Sequence, residues 1–302
     1  MVMKPHPTDS SLFENWLREK KNVSDGTVYT YLKSVERFLV INPDLENLEE
    51  YNKFLIEVSI KKRGTHFYSA LRAFIDFKIT DAGLKNRLLD GLIKPKVRSD
   101  IKQERKHLSE DELLSVINYM NEEKHRIIAL IQMLTGIRAG DVFRLRYSQI
   151  VPEVYNENPV LKLVVTGKGR KRNVVYIHDR VAQGLIMNYI TNNQGHNEYY
   201  FITESPRRFR PGDVENEFML IRMNYLRFWR DLKQALNISG IDKNDFATHD
   251  FRRCFARRFW ERFKDVYKLQ QVLNHRDPKV TLRYLEQSGL HNIDYHYEMQ
   301  MT

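Results

Sequence analysis

The residues best suited to chemistry lie in the last third of the chain, where a tyrosine follows two histidines and an arginine. His249 and Arg252 are three positions apart, His275 follows, and Tyr284 stands nine residues beyond His275. A phenol can attack a phosphate, while arginine stabilises charge on the non-bridging oxygens and histidine relays a proton or donates a hydrogen bond. This order of residue types predicts phosphoryl transfer through a tyrosine nucleophile, with Tyr284 as the attacking group.

Two segments upstream contain the cations that such a site would still need. Arg138 lies in the segment LTGIRAGD at residues 134–141, and Lys168 lies in TGKGR at residues 166–170. Arginine grips two phosphate oxygens with its planar fork, and one well-placed donor contributes about 3–4 kcal/mol to transition-state stabilisation. A lysine at the tip of a hairpin can approach a leaving group, so we expect Lys168 to act at the departing 5′ oxygen.

Each of these residues also has an ordinary structural explanation. Arg138 is explained equally well as a surface residue that pairs with Asp141, three positions on. Lys168 suits a turn between two glycines, a histidine such as His275 is often a core residue, and the chain has 16 tyrosines. The order and spacing of all six residue types, on one helix–hairpin–helix background, argue against chance agreement.

The motifs together resemble those of the tyrosine recombinase (phage integrase) family. The family's first arginine motif is similar to TGIRAGD at 135–141, and its hairpin lysine motif is similar to GKGRKR at 167–172. Its second arginine motif resembles HDFR at 249–252, and its tail motif resembles LNH at 273–275 with a tyrosine nine residues later. The resemblance covers residues 108–286 strongly and implies this catalytic set: Arg138, Lys168, His249, Arg252, His275 and Tyr284.

Similarity to this family implies a fold and a reaction. The fold is mainly α-helical with a small antiparallel β-hairpin or sheet, and a helical core-binding domain and a catalytic domain form a C-shaped clamp around double-stranded DNA. The reaction passes through a covalent 3′-phosphotyrosine and a Holliday junction. It takes place within a homo-tetramer on paired DNA sites, and the free protein can be a monomer in solution. The resemblance implies no cofactor, metal or nucleotide, because the phosphotyrosine keeps the energy of the broken bond.

The departures from the family pattern are small. Arg253 stands where the family often has histidine, at a position to which we assign no chemistry. Asn274 stands where the family usually has glycine, and asparagine also tolerates a left-handed backbone. The rivals for the assigned roles are Lys171 for the lysine, and Tyr295 and Tyr297 for the nucleophile.

Hydrophobic spacing in residues 108–286 predicts the elements that would position these side chains. Ser109 and Glu112 form a capping box that begins the domain. Residues rich in β-branched side chains at 161–165 and 173–177 predict a hairpin with a basic tip. Helical periodicity predicts helices at 126–135, 179–191, 217–236, 249–263, 268–273 and 278–286, with Asp277 as the cap of the last, and a short strand is expected at 199–203.

Residues 1–93 predict a bundle of short helices, which fits a DNA-clamping core-binding domain by type and size. Ser24 and Thr65 are the expected caps of its second and fourth helices. Residues 94–107 are polar, basic and interrupted by proline, which is typical of a linker whose cations neutralise DNA phosphates. Residues 287–302 include spaced apolar side chains, and we expect this tail to contact a neighbouring protomer.

The overall charge favours a polyanionic partner. The chain has 49 Lys and Arg against 39 Asp and Glu, a formal net charge of +10. Nucleic acid fits this charge better than a membrane does, because there is no apolar run of about 18 residues. The chain starts without a basic-then-apolar leader, so we expect a cytoplasmic, nucleoid-associated protein.

A single cysteine, Cys254, allows neither an intramolecular disulfide nor a zinc finger. Further candidate DNA contacts are Lys61, Lys62, Arg63, Arg170, Lys171, Arg172, Arg207, Arg208 and Arg210.

Four functions fit these observations to different degrees. The first is a site-specific recombinase, most simply the integrase of a mobile element. A chromosome or plasmid dimer resolvase of the Xer type shares this chemistry and differs in its target site. A type IB topoisomerase uses a similar residue set but needs no paired site. A DNA-binding protein that does not cut is a fourth alternative, and the intact set of six residues argues against it.

Overall fold

The computed structural model describes residues 7–60, 64–95, 108–166, 172–193, 214–242, 246–275 and 277–286. Contacts divide the chain into two compact units, residues 1–101 and 102–302. Helices dominate both units, and the second also contains a small antiparallel sheet. The predicted fold class, mainly α with a small antiparallel sheet, is therefore confirmed.

The first unit is a helical bundle built around aromatic side chains. Phe38 and Tyr51 are fully buried, and their rings lie 4.7 Å apart. The predicted cap at Ser24 is confirmed, because its side chain accepts a hydrogen bond from the backbone N–H of Thr27. The predicted cap at Thr65 is wrong: the helix already includes Gly64, so Thr65 lies in its first turn. The helices are α1 (Pro7–Glu19), α2 (Asp25–Leu39), α3 (Leu48–Ile60), α4 (Gly64–Lys78) and α5 (Ala82–Gly91).

The second unit opens with the predicted capping box and leads into its central helix. Ser109 Oγ accepts from the backbone N–H of Glu112, whose carboxylate accepts from the backbone N–H of Ser109. The helix that follows, α6 (Glu110–Asn118), is joined by a short turn to α7 (Glu123–Thr135). Helix α7 packs against α6, against several later helices and against the sheet of the same unit, and most of its side chains are buried.

Three antiparallel strands form the sheet, in the order β1 (Ile150–Tyr155), β2 (Asn158–Thr166) and β3 (Arg172–Ile177). The predicted hairpin is β2 with β3, and its register pairs Thr166 with Arg172. Strand β1 was not predicted, because all but its first residue are exposed and the sequence shows no apolar alternation there. The hairpin tip at 167–171 lies outside the described residues.

The remaining helices largely follow the predicted pattern. The 278–286 helix begins at Pro278, with the Asp277 carboxylate accepting from the backbone N–H of Lys279. The helix predicted at 268–273 begins two residues earlier, because Asp265 caps it through the backbone N–H of Lys268. The remaining helices are α8 (Ala139–Val142), which was not predicted, and the predicted α9 (Arg180–Asn192), α10 (Val214–Ile238), α11 (His249–Phe263), α12 (Val266–Val272) and α13 (Pro278–Glu286).

Two further observations bound the architecture. The strand expected at 199–203 falls outside the described residues. Among the helices that the structure describes, none combines the length and the apolar character needed to cross a bilayer.

Candidate active site

The site begins at a glycine turn between α7 and α8. Gly136 ends α7 in a left-handed backbone conformation with φ of 69°. Residues that have a Cβ rarely adopt this conformation. A Cβ here would lie 2.4 Å from Cδ1 of Phe255 and 3.0 Å from Cδ2 of Leu273. The tight turn leads directly to Arg138, the residue that precedes α8.

Arg252 lies at the centre of the site and is only 2% exposed. Its Nη1 donates to the carbonyl oxygen of Gly136, and its Nη2 donates to the carbonyl oxygen of Leu273 at 2.6 Å. Burial, and then the charge of Arg138, lower the pKa of Arg252 to about 10. The guanidinium therefore stays charged at neutral pH, and one side chain links α11 to the turns after α7 and α12.

His275 contacts Arg252 from the turn between α12 and α13. Its Nε2 lies 2.9 Å from Nη2 of Arg252, and its Nδ1 lies 2.9 Å from Oγ1 of Thr281. The residue before it, Asn274, has φ of 51°, the left-handed backbone that asparagine tolerates. Burial, followed by the charges of Arg252 and Arg138, lowers the pKa of His275 to about 4, so the ring is neutral at physiological pH.

Tyr284 projects from α13 into the same cluster. Its hydroxyl lies 3.3 Å from Nδ1 of His249, the first residue of α11. Its ring centroid is 5.2 Å from that of His275 and 5.9 Å from Cζ of Arg252. Desolvation of the ring, and then the charges of Arg252 and Arg253, lower the pKa of His249. A neutral imidazole thus faces the phenol, which is the state that can accept a proton.

Arg138 completes the cationic side of the site and remains partly exposed. Its Nη1 lies 3.9 Å from Oδ2 of Asp141, whose other oxygen lies 3.8 Å from Nη1 of Arg144. Burial raises the pKa of Asp141, and the surrounding guanidinium charges oppose that shift. The positive charge of Arg138 also helps to lower the pKa of Arg252 and of His275, which places all three in one electrostatic environment.

Comparisons with known proteins identify the family of this chain. The model of the phage integrase family matches residues 106–290, more than half of the chain. The chain belongs to the phage integrase family. It is a tyrosine recombinase, an enzyme that breaks and rejoins DNA.

Relatives and solved structures match this tyrosine recombinase over nearly its whole length. A tyrosine recombinase from Pseudothermotoga lettingae is 23% identical over 286 residues, covering 90% of this chain and 91% of the relative. Tyrosine recombinase XerD from Rickettsia bellii is 21% identical over 296 residues, covering 91% and 92%. A lambda integrase tetramer bound to a Holliday junction has the same fold, with a TM-score of 0.61 at 19% identity, covering 93% of this chain and 77% of that one.

One buried and one partly buried polar side chain support the site of this tyrosine recombinase, and neither was predicted. The Gln132 side-chain amide lies 3.5 Å from the carbonyl oxygen of Ile137 and 3.4 Å from that of Thr248, the residues before Arg138 and His249. The hydroxyl of Tyr225, on α10, lies 3.0 Å from Oγ1 of Thr248. A glutamine within the otherwise apolar run at residues 127–134 was the available sequence signal for the first contact.

The structure brings together five of the six residues expected in the catalytic set. Lys168 and its rival Lys171 lie outside the described residues, as do the candidate DNA contacts Lys61, Lys62, Arg63, Arg170, Arg207, Arg208 and Arg210. Arg172 is described and lies exposed at the start of β3.

The described part of the chain offers little for metal or thiol chemistry. No three His, Cys, Asp or Glu side chains converge there as a metal site would require. Cys254 is partly buried on α11, and burial raises the pKa of its thiol to about 11. That pKa disfavours the reactive thiolate at neutral pH.

Proposed function

We propose that this protein is a site-specific tyrosine recombinase, most simply the integrase of a mobile element, in which Tyr284 attacks duplex DNA. The observation that carries the proposal is the position of the Tyr284 hydroxyl, 3.3 Å from His249 and beside the buried guanidinium of Arg252. In the proposed step the phenolic oxygen bonds to phosphorus, the bond from phosphorus to the 5′ oxygen breaks, and a 3′-phosphotyrosine and a 5′ hydroxyl result.

In this step His249 takes the proton of the phenol. Its lowered pKa favours the neutral ring, and its Nδ1 is the nitrogen that faces the Tyr284 hydroxyl. A separation of 3.3 Å is loose for proton transfer, but catalytic hydrogen bonds often tighten only when substrate is bound. The exposed side of His249 leaves room for DNA to approach.

Arg138 and Arg252 hold the non-bridging oxygens of the phosphate. Both guanidinium groups stay charged, and their mutual repulsion in a partly dry site favours a bound anion between them. Arg252 is fixed by backbone carbonyl groups, whereas Arg138 is only loosely paired with Asp141. We propose that Arg252 sets the position of the phosphate and that Arg138 closes on it.

The departing 5′ oxygen needs a proton, and Lys168 is the proposed source. Strands β2 and β3 pair up to Thr166 and Arg172, so the hairpin stays in register up to the segment that contains this lysine. An ammonium group is a mobile point charge that can follow a leaving group. Lys171 is the matched alternative on the same hairpin tip.

The charge and the fold both support the assembly that we propose. A net charge of +10 suits double-stranded DNA as the partner, and a lambda integrase of the same fold forms a tetramer on a Holliday junction. We propose a homo-tetramer on paired sites, formed from monomers and acting at the nucleoid in the cytoplasm. The proposed domains are 1–93 for DNA clamping, 94–107 as linker, 108–286 for catalysis and 287–302 as a protomer contact.

A dimer resolvase of the Xer type is the second candidate function. Similarity to tyrosine recombinase XerD from Rickettsia bellii over more than nine-tenths of both chains supports it. The chemistry is the same for both candidates, and only the target site differs. Recombination between two copies of an attachment site from a mobile element favours the integrase, whereas recombination between chromosomal dimer-resolution sites favours the resolvase.

A nicked suicide duplex tests the proposed chemistry. A nick close to the scissile phosphate lets the cut strand diffuse away, so that a covalent protein–DNA complex accumulates without divalent metal. We expect a covalent band with the wild type and with Tyr267→Phe, which changes an exposed tyrosine on α12, and no band with Tyr284→Phe.

The other outcomes each identify an alternative. A band that survives Tyr284→Phe moves the nucleophile to Tyr295 or Tyr297. The absence of a band on duplexes that the protein binds tightly favours the DNA-binding protein that does not cut. Relaxation of supercoiled DNA without any paired site favours a type IB topoisomerase.

A further inference from the structure

The hydrogen bonds around His275 determine which of its ring nitrogens holds the proton. A guanidinium has only donors, so Nη2 of Arg252, at 2.9 Å, must donate to Nε2 of His275. In the neutral ring the proton is then on Nδ1, which lies 2.9 Å from Oγ1 of Thr281. The Nδ1–H group of His275 donates a hydrogen bond to the hydroxyl oxygen of Thr281, and this bond fixes the ring as the Nδ1–H tautomer.

Burial makes this arrangement hard to replace. Thr281 is 0% exposed and His275 is 8% exposed, so bulk water does not readily substitute for either partner. The backbone of His275 is also held, because its N–H donates to the carbonyl oxygen of Gln270 and its own carbonyl oxygen accepts from the Gln270 side chain at 3.2 Å. A buried N–H that loses its acceptor is destabilising, so the ring has little freedom to turn away.

We propose that Thr281 is a positioning residue that holds His275 in the Nδ1–H tautomer, and that His275 acts as a hydrogen-bond acceptor for Arg252 instead of relaying a proton. This inference rests on the proposed function and divides the roles of the two histidines. His249 faces the phenol and exchanges its proton, whereas His275 faces the guanidinium and keeps it in place. The pKa of His275 near 4 is consistent with a ring that stays neutral throughout.

The position of Thr281 gives the contact a second consequence. Thr281 lies three residues before Tyr284 on α13, so one hydrogen bond ties the helix of the nucleophile to His275 and through it to Arg252. A change in the hydrogen bond to Thr281 therefore moves the phenol and the phosphate-binding guanidinium together. The register between nucleophile and phosphate depends on this three-residue chain of contacts.

A spectroscopic experiment tests the tautomer without DNA. The full-length protein is labelled with ¹⁵N-histidine, and two-dimensional spectra at pH 7 distinguish a protonated Nδ1 from a protonated Nε2; the His275→Gln variant identifies the signals of His275. We expect the Nδ1–H tautomer in the wild type and in Thr281→Ser, which keeps the oxygen. In Thr281→Val, which keeps the shape but loses the acceptor, we expect the Nε2–H form to gain population. A wild-type Nε2–H ring, or an unchanged spectrum in Thr281→Val, overturns the proposal.

Single-turnover cleavage of the nicked duplex tests the acceptor role. His275→Gln supplies an acceptor oxygen but no titrating group, so we expect it to cleave at least about tenfold faster than His275→Leu. Thr281→Val should slow cleavage by about tenfold or more, whereas Thr281→Ser should keep most of the wild-type rate. Neither substitution should change the shape of the pH profile of cleavage. Equal loss in His275→Gln and His275→Leu, or loss of a pH-dependent limb in His275→Gln alone, overturns the acceptor role. A wild type that forms no covalent complex contradicts the proposed function, while the tautomer result stands separately.

Discussion

Replacing Gly136 with alanine tests whether the turn after α7 holds the site together. The new Cβ would lie 2.4 Å from Cδ1 of Phe255 and 3.0 Å from Cδ2 of Leu273. It would also force alanine into a backbone conformation with φ of 69°. Both the strain and the contact act on the carbonyl groups of Gly136 and Leu273, which accept hydrogen bonds from Arg252.

The expected magnitude is the sum of two separable costs. A residue with a Cβ in the left-handed region costs about 1–2 kcal/mol. Overpacking a well-filled core costs about 1–3 kcal/mol more, because Phe255 must leave its present position. We therefore expect Gly136→Ala to lower the free energy of unfolding by about 2–5 kcal/mol. Cleavage should fall at the same time, because the acceptors of Arg252 move.

Gly240→Ala is the matched control. Gly240 has φ of 70°, but no described atom lies within 4 Å of the position that an added Cβ would take, so this variant reports the conformational cost alone. Urea unfolding followed by tryptophan fluorescence suits the comparison, since Trp229 and Trp260 lie in the same unit as both glycines. The difference between the variants isolates the contact with Phe255, and we expect it to be about 1–3 kcal/mol.

Two results would refute this reasoning. Equal losses of unfolding free energy in Gly136→Ala and Gly240→Ala would show that the contact with Phe255 has no energetic weight. A double variant, Gly136→Ala with Phe255→Leu, should recover part of the loss because the smaller side chain makes room. No recovery in the double variant would place the cost in the backbone alone.

Three other predictions concern charge and assembly. The fold lowers the pKa of His275 from its ordinary 6.5 to about 4. The neutral ring therefore contributes at most about 3 kcal/mol to the free energy of unfolding, which is present above pH 6.5 and is lost as the pH falls to 4. His275→Gln should reduce this loss of unfolding free energy between pH 7 and pH 4.5, measured by urea unfolding. Asp141→Asn should slow single-turnover cleavage by about 10–100-fold by loosening Arg138, while unfolding free energy stays equal or rises because a buried charge is removed. Deleting residues 288–302 should weaken pairing of two DNA sites in gel-shift assays and leave single-site binding intact; equal loss of both contradicts the tail contact.

The sequence predicted those elements whose signals are local. The bounds of α11 and α13 agree with the prediction at both ends. The start of α13 was predictable because a capping Asp277 followed by Pro278 is a local signal for the first turn of a helix. The capping box at Ser109 is a pattern of four residues that needs no tertiary context. Strand β1 was not predicted, because it is almost wholly exposed and its residues show no apolar alternation, even though its partner β2 begins only three residues after it ends.

The identity of the site residues was predictable, but their states were not. Arginine is mostly an exposed residue, so nothing local indicated that Arg252 would be 2% exposed with backbone carbonyl groups as partners. The two histidines are the same residue type, and nothing in the sequence around them shows which partner each side chain faces. Only the fold shows that His249 faces the phenol and that His275 faces a guanidinium. The supporting role of a lone polar residue such as Gln132 can be recognised only when its backbone carbonyl partners are known.

The order of the site residues along the chain has a consequence during synthesis. Arg138 and Tyr284 are separated by roughly 150 residues, which a ribosome adds in about 7–30 s. Throughout that interval the nascent chain already has Arg138, the proposed phosphate ligand, but not yet Tyr284, the proposed nucleophile. Arg252 likewise lacks its acceptor at Leu273 until α12 has been made. A polypeptide that stalls before Tyr284 therefore lacks the proposed nucleophile, whatever part of the site it has already folded.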